Sequence, residues 1–287
     1  MTPIEHPARP EPEALGAIDV AGLSHTGLVP TENQDHFLVA TMRKSVRVDA
    51  SNLDAGRLDG RLGEAKAYLM VVADGVGGRA GGATASSRAV ETTLEYIARA
   101  TGCFQSINVE EEAAFIERME AAVHEAHESL RREYGDSEWA PATTLTMVML
   151  VAPRAYIVHV GDTRAYYLRR GRLLQLTRDQ TFGQYLLDTG AMTEEQVAAS
   201  PMGRTLASAV GSAEVKPTVG LIDLEPGDTL LLCSDGLTKH VPNEDVARLL
   251  LAATSAQQAC ESLVAQALAD GGSDNITVVV ARCGAKA

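Results

Sequence analysis

The sequence predicts an α+β layered domain, with antiparallel sheets covered on the outside by helices. Three observations lead there. Short apolar runs such as Thr144 to Ala152, Arg154 to Val160 and Arg164 to Leu168 follow one another too closely for parallel crossovers, which take about a dozen residues or more. Helical stretches come in groups between runs of strands and do not alternate with them one for one, a pattern that favours helices packed outside antiparallel sheets. The 287 residues are 45% hydrophobic and 22% charged, without a repeat of fixed period or a compositional break, so one domain with a sizeable core is expected.

Taken in order, residues 1–15, rich in Pro, Glu and Ala, lack periodicity and are expected to form a flexible, disordered tail, leaving 16–287 as the domain. Ala17 to Leu23 alternates as a strand, and His36 to Thr41 is expected as its neighbour across the loop from Thr26 to Asp35. Residues 42–66 read as a charged, Gly- and Asp-dotted insertion, an extended hairpin or a mobile loop. A strand from Tyr68 ends at Asp74, and the glycine-rich Gly75 to Gly82 leads into a helix over Ala83 to Ala100, where Val90, Leu94 and Ile97 keep helical spacing. A second helix spans about Val109 to Tyr134; the three close strands follow as antiparallel neighbours, then Leu173 to Leu176. Residues 180–211 carry two short helices, one starting at about Thr193, and are expected to form a mobile flap that shapes substrate access. Lys216 to Leu224 and Thr229 to Ser234 are expected to pair across the turn Glu225-Pro-Gly-Asp228. Asn243 and Ser255 suit helix N-caps, Ser255 with Gln258 as a capping box, and Asp270-Gly-Gly stops the last helix before the final strand.

Charge and cysteine usage narrow the function classes. A net charge of −13 opposes unaided binding to nucleic acid or anionic membrane, since lysine and arginine supply most of that attraction. Cys103, Cys233, Cys260 and Cys283 show no C-x-x-C spacing, and the chain starts without a secretory pattern, so a reducing cytoplasm is expected, and neither chelated zinc nor disulfide stapling is. No apolar run approaches the roughly 20 residues needed to cross a bilayer, which argues against direct membrane insertion.

The chemistry is signalled by four aspartates at the ends of apolar runs: Asp74 after Tyr68 to Ala73, Asp162 after Tyr156 to Gly161, Asp235 after Leu230 to Ser234, and Asp274 before Asn275 to Val280. Clustered carboxylates repel one another unless a cation sits among them, and oxygen-only ligation favours magnesium or manganese over zinc. Metal-assisted hydrolysis follows. An Asp-Gly pair is also a favoured hairpin turn, but Asp74-Gly75 opens onto further glycines and a helix, and Asp235-Gly236 onto Leu237 to Asp245, so neither returns directly as a strand.

The strings Asn33-Gln-Asp35, Val72-Ala-Asp-Gly-Val-Gly-Gly78, Ala142-Thr-Thr-Leu145, Val160-Gly-Asp-Thr-Arg-Ala-Tyr166, Leu176-Thr-Arg-Asp179, Pro226 to Thr238 and Gly272-Ser-Asp-Asn-Ile-Thr277 together resemble, in order, the motifs of the metal-dependent PP2C-type (PPM) protein phosphatases of bacteria. The resemblance runs from about Ala17 to Ala281. It implies a central β-sandwich of two antiparallel sheets flanked by helices, in four layers αββα. It implies that Asp74 bridges two Mn2+ or Mg2+ ions, that the Gly75 carbonyl ligates one, and that Asp235 and Asp274 ligate the other. Asp35 would hold water in the outer coordination sphere, and Asp162 with Asp235 would make a third, weaker ion site. The implied reaction is hydrolysis of phosphoserine and phosphothreonine in proteins by a metal-activated water, opposing a serine/threonine kinase, with Ser234 a packing residue and no side chain acting as nucleophile.

The chain departs from that pattern in places. Pro30 stands where many members carry a phosphate-binding arginine; Arg79, where bacterial relatives usually have histidine, is the candidate replacement, a surface ion pair being its plainer role. Gln34 replaces a common glutamate, and Val76 occupies the slot of a histidine general acid found in eukaryotic relatives. A pseudophosphatase that binds phosphoproteins, or a phosphatase for small metabolites, therefore stands as an alternative. Elsewhere, His124 and His127 are assigned to a solvated helix face, His159 to the core, His240 to a structural role, Arg164 to an ion pair with a nearby acid, and Arg169, Arg170 and Arg172 to a solvated turn.

Overall fold

Strand runs rich in Val, Leu, Ile and Met, with successive side chains pointing to opposite faces, must bury both faces when no polar alternation is present. β3 (Ala65–Val76) does this: Leu69, Val71 and Ala73 enter one core, Met70 and Val72 another. The computed structural model describes residues 15–44, 65–76, 81–100, 109–135, 137 and 140–285. Two antiparallel sheets stack in it. The first has the spatial order β1 (Leu15–His25), β11 (Ile276–Ala285), β10 (Thr229–Cys233), β7 (Arg164–Arg169), β8 (Arg172–Gln175). The second runs β2 (Asp35–Lys44), β3, β5 (Leu145–Val151), β6 (Arg154–Val160), β9 (Thr218–Asp223), with β4 (Ala142–Thr143) paired to the end of β3.

Three cores give the layering. Met70, Val148, Leu150, Leu230, Leu232 and Val279 fill the space between the sheets. Helices α1 (Gly81–Ala100) and α2 (Val109–Tyr134) cover the second sheet through Ile97, Met119 and Leu130. Helices α6 (Asn243–Ala252) and α7 (Ala256–Ala269) cover the first through Leu250, Cys260 and Leu263. The result is the αββα sandwich. In sequence between β8 and β9, residues 180–211 form α3 (Phe182–Asp188), α4 (Glu194–Ala198) and a 3-10 turn at Pro201–Arg204, and α5 (Asp235–Thr238) follows β10 directly. No helix among the described residues is long and apolar enough to cross a membrane.

Three expected strand pairings are corrected. β1 pairs with β11 and β2 with β3, so Ala17 to Leu23 and His36 to Thr41 lie in different sheets. β6 pairs with β5 and β9, while β7 pairs with β10 and β8, so the link at Gly161 to Thr163 changes sheets. β9 and β10 are likewise not partners, and the turn Glu225 to Asp228 carries the chain from one sheet to the other. At the second of these links, Gly161 has φ +101° and its missing Cβ would fall 2.6 Å from the Thr144 side chain, so a crossover this tight requires glycine.

Helix ends follow the sequence more closely. Thr193 forms a full capping box with Gln196. Ser255 accepts from the Gln258 N–H at 3.1 Å, but the Gln258 side chain turns to Thr254, so that box closes on one side only. Asn243 is not an N-cap; it lies inside α6, whose N-cap is Pro242. His127 is buried, not solvated, and accepts from the Gly211 N–H at 3.1 Å, because α2 turns that face onto the core, whereas His124 is exposed. Arg169 is not solvated either: it reaches inward to the buried Asp228. Residues 1–14 of the expected tail and most of the 42–66 insertion fall outside the described residues, as does Cys103, while Leu15 already belongs to β1.

Candidate metal centre

Four strand ends meet at one end of the sandwich, and the hydrogen bonds there fix each carboxylate. Asp35, first residue of β2, lies directly opposite Asp74 near the end of β3. The Asp74 N–H donates to Thr144 Oγ1 at 2.9 Å, and its carbonyl accepts from Thr144 N and Thr143 Oγ1 at 2.9 and 2.8 Å. At Gly75 a Cβ would stand 2.1 Å from the Gly82 carbonyl oxygen, and at Gly236 it would stand 1.9 Å from that of Asn275. Both glycines are therefore demanded by close backbone approach and not by a hairpin turn. Asp235 opens α5 and Asp274 immediately precedes Asn275 and β11.

Polar side chains stitch these segments together. Asn275 Oδ1 accepts from the Gln34 N–H at 2.8 Å, and its amide donates to the carbonyls of Thr26 and Glu32 at 2.7 and 3.0 Å. Ser234, fully buried, donates to Asp35 Oδ2 at 2.6 Å and accepts from the Thr277 N–H at 3.0 Å, so it anchors a carboxylate and is more than a packing residue. His240 bonds the Asp270 carbonyl through Nδ1 and Ser273 through Nε2, bracing the loop that presents Asp274. His159 is satisfied in the core by Thr146 and the Arg178 carbonyl. Arg164 grips Asp179 with two bonds of 2.8 and 2.6 Å, the structural pair expected for it.

Electrostatics distinguish this end of the molecule. Burial, then the like charges of Asp35, Asp235, Asp162 and Asp274, holds Asp74 well above the usual carboxylate range. Burial pushes Asp35 up to about 6, with Ser234 opposing and Asp235 and Asp274 adding to it. Asp162 is pushed up to about 7 by burial first and by Asp235 and Asp179 after it. The cation that answers them among the described residues is Lys239, the residue capping the C-terminus of α5. Its ammonium lies 2.6 Å from Asp235 Oδ2 and 2.5 Å from Asp274 Oδ2.

The donor set fits small hard cations. All the groups are oxygens, Asp35 Oδ1 is buried without a hydrogen-bond partner, and Asp74 sits among charges of its own sign. As positioned, no three of His, Cys, Asp and Glu among the described residues stand close enough to grip one ion. Asp235 and Asp274 are gathered around the Lys239 ammonium instead.

A cavity of about 550 Å3 opens beside these groups. Asp162, Arg164, Asp235 and Lys239 line it, together with Thr181, Glu194 and Arg204 from residues 180–211. Of the site residues expected from sequence, Asp35, Asp74, Gly75, Asp162, Asp235 and Asp274 are brought to this end. Arg79 lies outside the described residues. Pro30 sits in a loop whose neighbours Leu28 and Val29 are 65% and 69% exposed, an apolar edge to the site. Sequence reasoning missed Lys239, which caps a helix of only four residues and pairs with Asp235 at its start. It also missed the anchoring by Thr143, Thr144 and Asn275.

The model of the family described as Protein phosphatase 2C matches residues 43–271. The chain is 34% identical over 222 residues to the serine/threonine protein phosphatase PstP of Mycobacterium tuberculosis, covering 76% of this chain but only 40% of that longer relative. It is 30% identical over 219 residues to the serine/threonine phosphatase Stp of Listeria monocytogenes, covering 74% of this chain and 83% of the relative. Among solved structures, a serine/threonine phosphatase of S. agalactiae superposes with a TM-score of 0.75 at 25% identity, over 93% of this chain and 99% of that one. The catalytic domain of PstP in complex with two manganese ions superposes with a TM-score of 0.71 at 29% identity, over 93% of this chain and 98% of that one.

Proposed function

The chain belongs to the protein phosphatase 2C family, and from that premise we propose that it is a cytoplasmic phosphatase hydrolysing phosphoserine and phosphothreonine in proteins, opposing a serine/threonine kinase. The observation that carries the proposal is the gathering of five aspartates from separate strand ends at one end of the sandwich, with Asp35 directly opposite Asp74, the charges of Asp162, Asp235 and Asp274 felt at Asp74, and Asp162 and Asp235 lining the cavity. Such an arrangement costs stability and is retained where charge serves chemistry.

In this assignment Asp74 and the Gly75 carbonyl would hold one divalent cation, and Asp74, Asp235 and Asp274 would hold the second. Asp162 and Asp235 face the cavity as a third, weaker site. Manganese or magnesium suits the oxygen donors, and the two manganese ions belong to the PstP structure. Bound there, such ions lower the pKa of water and neutralise phosphate oxygens, so no nucleophilic side chain is needed. Asp35, tied by Ser234 through one oxygen, would use the other, buried and without a protein partner, to accept a hydrogen bond from water in the outer coordination sphere. Residues 180–211 help to line the cavity and act as the flap governing which phosphorylated segment enters. Arg79, four residues beyond Gly75 in sequence, is assigned to the substrate phosphate in place of the arginine lost at Pro30.

The loss at Pro30 also favours a second reading, a phosphoprotein-binding module without turnover. Manganese-dependent hydrolysis of a phosphothreonine peptide, reduced about 10^3-fold or more by Asp235→Asn, is the expected result. Tight peptide binding with no turnover at saturating manganese would instead establish the binder. Competition by sugar phosphates against the peptide separates protein from metabolite substrates.

A further inference from the structure

Lys239 has no role in the scheme above, yet it stands at the centre of its donor set. The residue closes α5, where its N–H donates to the Asp235 carbonyl at 2.8 Å, so backbone and side chain are tied to the same aspartate. Its side chain is only 18% exposed, and its ammonium bridges Asp235 and Asp274 at 2.6 and 2.5 Å. These are the two carboxylates assigned to the second ion. An ammonium and a divalent cation cannot share the oxygens Asp235 Oδ2 and Asp274 Oδ2: they would lie within a few ångströms of each other, and like charges at that range repel strongly in a half-buried site. The gathering of Asp235 and Asp274 around nitrogen is also consistent with no three carboxylates being set to grip an ion as they stand.

We propose that Lys239 is a resident counter-cation at the second ion position, which a divalent ion has to displace, so that the site fills in two steps and the second step is weaker than its carboxylates alone would make it. The inference rests on the phosphatase reading. The cavity gives the displaced side chain somewhere to go, because Lys239 already lines it beside Asp162 and Thr238. Leaving Asp235 and Asp274 ends two charge-assisted hydrogen bonds, and that loss is subtracted from the affinity for the incoming ion. In return, ion-free protein keeps its carboxylates partly neutralised.

The test is manganese titration by calorimetry of the full chain and of Lys239→Gln, with thermal midpoints measured in chelator and in excess manganese. The second dissociation constant is expected to tighten about tenfold or more in Lys239→Gln. The variant's midpoint is expected to fall below that of the unsubstituted chain in chelator and to match it when saturated, whereas a purely structural lysine would lower both. Unchanged or weaker manganese binding by the variant overturns the proposal while leaving the phosphatase reading intact. Failure of both proteins to take up manganese overturns the two together. A measurement on the unsubstituted chain guards against a variant that does not fold: acylation of Lys239, followed by mass spectrometry, is expected to run about tenfold or more faster with manganese than with chelator. Equal protection in the two conditions contradicts displacement.

Discussion

Asp228 and Asp74 mark opposite ends of the sandwich, and the two ends treat carboxylates in opposite ways. Asp228, 2% exposed just before β10, accepts three bonds from Arg169 between 2.6 and 3.2 Å and a fourth from the Glu225 N–H at 2.7 Å. Nearby, Arg154 joins Glu112 at 2.6 Å and Asp223 at 3.2 Å. At the other end, Asp74 has carboxylates for neighbours and Asp35 an oxygen without a partner. What differs is the pairing: arginine holds the carboxylates near Asp228, whereas those around Asp74 face one another, with Lys239 between Asp235 and Asp274. One end is balanced for stability, and the other carries a charge excess that Lys239 offsets only in part.

The contrast can be broken most forcefully by Arg169→Met, which strands Asp228 without its cation. A loss of about 3 kcal/mol in denaturant unfolding is expected, with activity below the transition unchanged. Acid probes the layer between the ends. His159, held neutral by burial with a pKa near 4 against an ordinary value of 6.5, contributes stability that is complete above about pH 6.5 and is lost as pH falls toward 4. That loss should reach about 3 kcal/mol, and the acid limb of the stability profile should flatten in His159→Asn. A single type of substitution then sharpens the comparison by its sign. Asp228→Asn should destabilise by about 2 kcal/mol, whereas Asp74→Asn should stabilise the ion-free chain at pH 8 by about 1 kcal/mol while removing activity. Smallest is Arg170→Ala, whose guanidinium is 84% exposed beside Glu225; a change within about 0.5 kcal/mol is expected from differential scanning calorimetry.

Much of the carboxylate end was legible because its chemistry is written at strand termini. Apolar runs that stop at Asp-Gly or start after Asp-Asn place the acids before any fold is known, and Gly75 and Gly236 turned out to serve close approach, as their continuation into non-hairpin segments suggested. The helices were legible from periodicity and from caps such as Thr193. Strand partnership was legible for β5 and β6, which pair as expected, but not elsewhere. The links before Asp35, at Gly161 and at Pro226 each look like connections between neighbours in one sheet, yet each carries the chain across to the facing sheet. Link length and turn residues specify that the chain reverses, not which layer receives it; that is decided by burial of both faces of β3, β5 and β10, which no local window contains. Lys239 escaped for a related reason. Its helix has only four residues, too short for periodicity to announce that positions 235 and 239 share a face.

The amide of Asn275 has a consequence for synthesis. It holds the Thr26 and Glu32 carbonyls and the Gln34 N–H, so the loop before Asp35 is secured by a residue 241 positions further along the chain. A nascent polypeptide therefore emerges from the ribosome with Asp35 made and the loop before it unsecured by Asn275 until the approach to β11 has been added. Chains halted before Ile276 should sequester no manganese, which keeps the chemistry silent in every unfinished copy.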